Sequence, residues 1–385
     1  MEFYTISIIA FIAVLAFIVY KDRKKIERES LLLLRRTERG RDILTGIGRR
    51  FPRFWKYLGV IGVFLGFYIS ISTIVQLIQV AMVSLFTKRV ISGVGVLLPS
   101  PTAETIIAPG LIAPPFWHWI ISVAILMIVH EGFHGIMAAR EGIKIKNLGF
   151  VLFLFIPGAF VEPDEAQLRR QPAWKQLRVY AAGSLANFIT AFIAAIIGIL
   201  LVSSFYAPSG VAYSGLIEGY PAEYANITGP IIQINSYEIA DTDDLANALT
   251  EIGINKTITV TTLNKTERLT YTMETAEHPE NKAMGFIGIS GPSTFMSIVS
   301  GFEDYAGLIG FFRTLLVFIG LINFGVGAFN LLPLWITDGA RMWEIIFRKV
   351  SKKKYKIFLK MFSYAVLLII LFNLFLSIGA GYFGI

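Results

Sequence analysis

The sequence predicts a polytopic α-helical membrane protein of about six transmembrane helices, with a membrane-associated β-hairpin and an inserted small α/β domain. Three observations predict it. Of 385 residues, 55% are hydrophobic and only 16% charged, and several apolar runs reach the ~20 residues needed to cross a bilayer. The charges are segregated. Residues 21–53 hold twelve Lys/Arg against five Asp/Glu, residues 348–360 hold seven Lys/Arg and no acid, and residues 206–304 hold thirteen acids against four bases. Basic blocks that flank apolar spans are the positive-inside pattern, so the net charge of +8 speaks for a lipid bilayer and against a nucleic-acid partner. Finally, two stretches change character: residues 149–161 are apolar but too short to span, and residues 206–290 are polar and alternate with period two.

The elements follow in order. Residues 3–20 are apolar and precede Lys21-Asp22-Arg23-Lys24-Lys25, the reverse of a cleavable signal peptide. They predict a retained first span with the N-terminus outside, and with the basic cytoplasmic stretch they make up segment 1–53. Residues 55–86 cross outward, and an outer loop in which Pro99, Pro101, Pro109, Pro114 and Pro115 break any helix completes segment 54–115. A helix over 116–139 returns inward. In 149–161 the β-branched and aromatic content predicts a hairpin turning at Pro157-Gly158 and dipping into the membrane. Open strand edges are untenable against lipid, so it should lie against protein or line a cavity; an interfacial amphipathic loop is the alternative. Residues 176–203 cross outward and close segment 116–205.

The insert 206–290 shows alternation at 257–261 and 269–273, with Asp241 as the cap of a helix running through Leu249. Its Asn226, Asn255 and Asn264 each begin an Asn-x-Thr triplet, accessible to glycosylation on the outer side. Residues 307–332 cross inward within segment 291–347, interrupted at Asn330-Leu331-Leu332-Pro333. Segment 348–385 supplies a basic loop and a last span at 362–382.

The helix over 116–139 carries Val129-His130-Glu131-Gly132-Phe133-His134 near its cytoplasmic end. Its two histidines are one turn apart and share a face, so both can ligate one tetrahedral metal, while Glu131 lies close enough to serve as general base. The plainer reading is two packed helix histidines, but three such groups in an apolar helix are expensive without a task. Asp338 is the candidate third ligand. It follows the break at Pro333, and an inward-going span delivers it to the depth of His130 and His134. The same residue could be a helix N-cap just outside the membrane. Asn187, on the span between, could donate to a developing oxyanion or form a close packing seam with Gly183. With no cysteine, a disulfide framework and a Cys-ligated metal site are excluded.

These residues together resemble the site-2 protease family of intramembrane zinc metalloproteases, in a prokaryotic form with a single PDZ-like domain. The resemblance is carried by His130-Glu131-Gly132-Phe133-His134, by Gly183-x-x-x-Asn187 after Ala181-Ala182, by Asn330-Leu331-Leu332-Pro333 followed by Asp338-Gly339, and by the insert between them. It covers roughly 116–345. The resemblance implies Zn2+ held by His130, His134 and Asp338, with Glu131 as base and Asn187 steadying the substrate or its oxyanion. It also implies cleavage of single-span membrane proteins near the cytoplasmic face after an upstream site-1-type protease has trimmed them, and strand-like pairing of the substrate with the hairpin. The insert, with Ser214-Gly215-Leu216 and Gly229-Pro230-Ile231-Ile232-Gln233-Ile234-Asn235, looks PDZ-like and suits a size filter. Thr337 stands where the family usually has Leu, and Trp335 where small residues or Pro are common.

Two other function classes compete. A catalytically inactive scaffold that captures membrane proteins through the insert would have no need of Glu131. A metal transporter would want further intramembrane acids or histidines, and only His118, between Trp117 and Trp119, offers itself. Arg313 and His278 carry no functional assignment.

Overall fold

The computed structural model describes residues 2–29, 32–87, 94–264, 267–282 and 284–383. Among them, six helices are long and apolar enough to cross a membrane. The chain divides into two compact units, residues 1–198 with 314–385, and residues 199–313.

In the first unit, helix α1 (Glu2–Asp22) is followed by strands β1 (Glu27–Glu29) and β2 (Leu32–Thr37), a short helix α2 (Arg41–Arg50) and the long helix α3 (Pro52–Thr87). The outer loop contains no helix among its described residues. It forms a small sheet of β3 (Val96–Leu97), β4 (Ile106–Ala108) and β5 (Leu111–Ala113); residues 88–93 of the expected loop lie outside the described residues. Helix α4 (Phe116–Arg140) leads to strands β6 (Ile145–Phe153) and β7 (Ile156–Pro163), then to α5 (Glu165–Arg169) and α6 (Ala173–Phe205).

The loop between β6 and β7 is Leu154–Phe155, not the expected Pro157-Gly158. Leu154 takes a left-handed φ of 57°, a conformation with no signal in an apolar side chain. Pro157 lies instead within β7, the edge strand of the sheet order β1-β2-β6-β7, where a missing N–H is tolerated. The sheet also reaches back into the basic segment for which the sequence offered no motif: β2 pairs with β6 from Leu32↔Phe153 to Thr37↔Leu148.

Small residues bring the helices together. A Cβ at Gly59, Gly62 or Gly66 of α3 would fall 2.9–3.1 Å from Arg178 and Met137, Leu185, and Met342 respectively, so α3 packs close on its neighbours. Val63, Met137, Ala138, Ala181, Ala182 and Leu331 form the fully buried core of that contact. Beside it, Arg178 of α6 makes a two-pronged pair with the buried Glu141 carboxylate at 2.6 and 3.0 Å, tying the start of α6 to the end of α4. Arg140 also reaches the same carboxylate at 2.6 Å, so removing Glu141, which would strand the buried Arg178 charge, is the costly change, at about 3–5 kcal/mol.

In the second unit, β8 (Tyr206–Ala212), β9 (Ile231–Ile234), β10 (Tyr237–Glu238), β11 (Thr257–Asn264), β12 (Glu267–Glu274) and β13 (Ser293–Ile298) form one sheet. The period-two runs pair directly, Thr259 facing Thr272. Asp241 caps helix α7 (Thr242–Ile252) by accepting from the N–H groups of Asp243 and Asp244. Because β13 pairs with β8, the sheet of the insert runs past the boundary expected at residue 290. The third Asn-x-Thr triplet lies partly outside the described residues, which end at Asn264 and resume at Glu267. Arg313 packs its guanidinium over the Tyr206 ring, 5.2 Å from the centroid.

Returning to the first unit, helix α8 (Ala306–Asn330) stops at the Asn330–Pro333 break, α9 (Asp338–Val350) is amphipathic, and α10 (Tyr355–Phe383) is the last apolar helix.

Candidate metal centre

Helix α4 carries the first two groups of the site, and its apolar residues fix it in place: Trp119, Ile120 and Leu126 cluster with Phe318 and Ile322 of α8, and Met137 and Ala138 with Ala181 and Ala182 of α6. His130 and His134 are both buried, with ring centroids 4.8 Å apart. The third group comes from 204 residues further on. Pro333 ends α8, and Thr337 restarts the chain as the N-cap of α9, its hydroxyl accepting from Ala340 N–H and donating its one proton between the Leu332 and Leu334 carbonyls, both within reach. The cap is therefore Thr337 rather than Asp338, which accounts for a small hydroxyl residue at this position. Asp338, first in α9, is left free to turn inward.

The three ligand atoms converge. Asp338 Oδ2 lies 3.0 Å from His134 Nε2 and 3.3 Å from His130 Nε2, and the two Nε2 atoms are 3.2 Å apart. Tetrahedral zinc with ligands at 2.0–2.1 Å requires donor atoms about 3.3 Å from one another, so the triangle fits the ion. Two further observations agree. With Nε2 turned inward, His134 donates its Nδ1–H to the Val179 carbonyl at 2.7 Å. On the far edge of the other ring, the Asn187 amide meets His130 Nδ1 at 3.0 Å, while Asn187 Oδ1 is buried without a partner. A half-turn of the amide places that oxygen on Nδ1–H, the arrangement a ligand imidazole needs. Gly183 completes the cradle: a Cβ there would sit 2.4 Å from His134 Nε2 and 2.6 Å from His130 Nε2.

Burial alone would raise the Asp338 carboxyl, but the His134 and His130 imidazoles outweigh it and hold the group well below the usual carboxylate range. It is an anion at neutral pH, as a ligand must be. Glu131 is not in the triangle. Its carboxylate accepts from the Val161 N–H of β7 at 3.2 Å, on the wall of a cavity of about 430 Å³ that also exposes His130, His134, Asp338, Asn330 and Arg341.

Of the residues singled out in the sequence, His130, His134 and Asp338 form one group and Glu131 stands on the same cavity. Asn187 is fully buried behind His130 and is not among the cavity residues. Asn330, quoted only as part of a motif, is the asparagine that faces the cavity. The Val161 N–H and Val179 C=O contacts are backbone groups, so no residue type announces them.

Comparison with known proteins agrees with this geometry. The model of peptidase family M50 matches residues 118–374. An uncharacterized protein of Methanocaldococcus jannaschii is 27% identical over 362 residues, covering 91% of this chain and 88% of its own length. A Staphylococcus aureus protein provisionally named a zinc metalloprotease is 23% identical over 275 residues, 57% of this chain and 61% of its own. An Arabidopsis thaliana homolog of the membrane-bound transcription factor site-2 protease is 32% identical over 146 residues, 37% of this chain and 26% of its own. With the family model matching well over half the chain around a zinc-compatible triad, the chain belongs to peptidase family M50, the site-2 protease family of membrane zinc metalloproteases.

Proposed function

We propose that this protein hydrolyses peptide bonds inside the transmembrane segments of single-span membrane proteins, with the catalytic groups near the cytoplasmic face. The observation that carries the reading is one cavity lined on one side by the His130–His134–Asp338 triangle and on the other by Val161 and Pro163 of the edge strand β7. His130, His134 and Asp338 would hold zinc, which polarises a carbonyl and acidifies water when bound. The remaining work falls to the chain's own groups. Glu131 takes the proton of the attacking water and returns it to the leaving amine. Asn330 reaches the cavity and stands to donate to the developing oxyanion, whereas Asn187 orients His130. A helical substrate must be locally unwound before its carbonyl is exposed, and pairing with β7 compensates the backbone groups that unwinding frees. Arg341 adds a cation to the same wall.

The test is cleavage of a purified single-span substrate by the zinc-loaded protein in liposomes, with fragment masses fixing the bond cut. Cleavage inside the span, abolished by chelation and restored by zinc, is the expected result; cleavage confined to soluble flanks would overturn it.

The insert is proposed to be PDZ-like and extracytoplasmic, admitting only substrates trimmed by an upstream protease. Because β13 belongs to its sheet, the clean deletion is 206–298. That variant should cut untrimmed substrates that the full chain spares, and equal discrimination in both proteins would refute the filter.

A further inference from the structure

The outer edge of β7, which no other described strand pairs with, is not uniform. Its two-residue loop makes Phe153 and Ile156 a hydrogen-bonded pair, and pairing alternates from there. Gly158, Phe160 and Glu162 therefore bond to β6, whereas Pro157, Ala159, Val161 and Pro163 turn their backbone nitrogen and carbonyl outward. Proline occupies two of those four positions, so the edge offers N–H donors only at Ala159 and Val161. The Val161 donor is already engaged, since it holds Glu131 Oε2 at 3.2 Å.

A strand laid along β7 needs that N–H for a carbonyl of its own, and one N–H has one proton to give. We propose that the Val161 N–H is a latch: in the empty site it restrains the Glu131 carboxylate, and a peptide strand pairing across Ala159–Val161 takes it over and releases the base. The inference rests on the protease reading and its strand pairing at β7, and adds how the base is held until that strand arrives. Pro157 and Pro163 close the window on either side, so a substrate helix need unwind only locally. A carbonyl opposite Val161 fixes the register and arms Glu131 in the same event. In a site without such a strand, the base stays bonded to the edge.

The test uses the full-length protein in detergent, stripped of metal, and a fluorescein-labelled capped octapeptide of alternating valine and threonine. Glu131→Ala removes the competitor and should tighten peptide binding about tenfold. Val161→Pro removes the donor at an outward position where no β6 bond is lost, and should weaken binding about tenfold. In the Val161→Pro background, Glu131→Ala should then have no effect. Hydrogen exchange of segment 156–163 gives a second readout that does not depend on the proline variant folding: Glu131→Ala should speed exchange of the Val161 amide by at least about tenfold. Tightening by Glu131→Ala that is the same in both backgrounds would reduce the effect to charge removal and overturn the latch, as would an unchanged Val161 exchange rate. A wild type that cuts single-span substrates but does not bind the octapeptide also overturns the latch and leaves the protease reading intact. Full coupling in a wild type that never cuts would do the opposite.

Discussion

Gly183→Ala is expected to destroy the metal site while leaving the fold in place. The new methyl group would lie 2.4 Å from His134 Nε2 and 2.6 Å from His130 Nε2, well inside van der Waals contact. Neither side can yield cheaply. The surrounding turn of α6 is fully buried, with Ala181, Ala182 and Ala186 at 0–1% exposure, so the backbone cannot retreat. The imidazoles must rotate instead, which breaks the His134 bond to the Val179 carbonyl and separates the ligand atoms. Outer-shell changes that merely loosen a ligand cost 10–100-fold in metal affinity, and displacing two ligands together should cost at least about 100-fold. Zinc content per chain measured at matched helicity checks this, and a variant that still holds one equivalent tightly would show that α4 and α6 stand further apart than these distances require.

Glu131→Gln should give the complementary result, a protein that keeps zinc and loses cleavage. Glutamine preserves the shape of the side chain and can still accept the Val161 N–H through its carbonyl oxygen, but it cannot take a proton. General-base loss typically costs 10²–10⁴-fold in rate, with substrate binding little changed. His134→Ala and Asp338→Ala should instead lose the metal itself, because each removes one corner of a triangle whose sides are 3.0–3.3 Å. Wild-type turnover by Glu131→Gln would mean that another group moves the proton.

The parts of this molecule that were legible in the sequence share one property: a side chain or a period announced them. Helical spacing placed His130 and His134 on one face, and Pro333 marked the break that delivers Asp338. Alternation at 257–261 and 269–273 marked two strands, which the fold pairs directly. The parts that were not legible are held by backbone or by long-range pairing. Pro157-Gly158 looks like a turn, but the chain turns at Leu154–Phe155, where an apolar residue takes a left-handed φ, and the proline is accommodated because it faces an unpaired edge. Asn187 read equally as an oxyanion donor or as a packing residue with an interhelical hydrogen bond; its amide is seated against the back of His130. The basic segment 21–53 carried no motif, because its charges mask a strand, β2, whose partner β6 lies more than a hundred residues away.

That last pairing has a practical consequence for how the protein can be shortened. A chain begun after residue 53 would retain every ligand, the base and both asparagines, and by motif alone it would pass as a complete enzyme. It would also lose β1 and β2 from the back of β6, reducing a four-stranded sheet to a bare two-stranded ribbon with β6 as a new edge. Two-stranded ribbons are marginally stable, and an uncovered edge invites a neighbouring chain to add itself. It would lose α2 as well, whose Gly48 lies against the Ile136 carbonyl and Arg140 at the end of the helix that carries both histidines. The residues that identify the metal centre and the residues that hold its sheet and helices in place are therefore different sets, and only the first can be found by looking for chemistry.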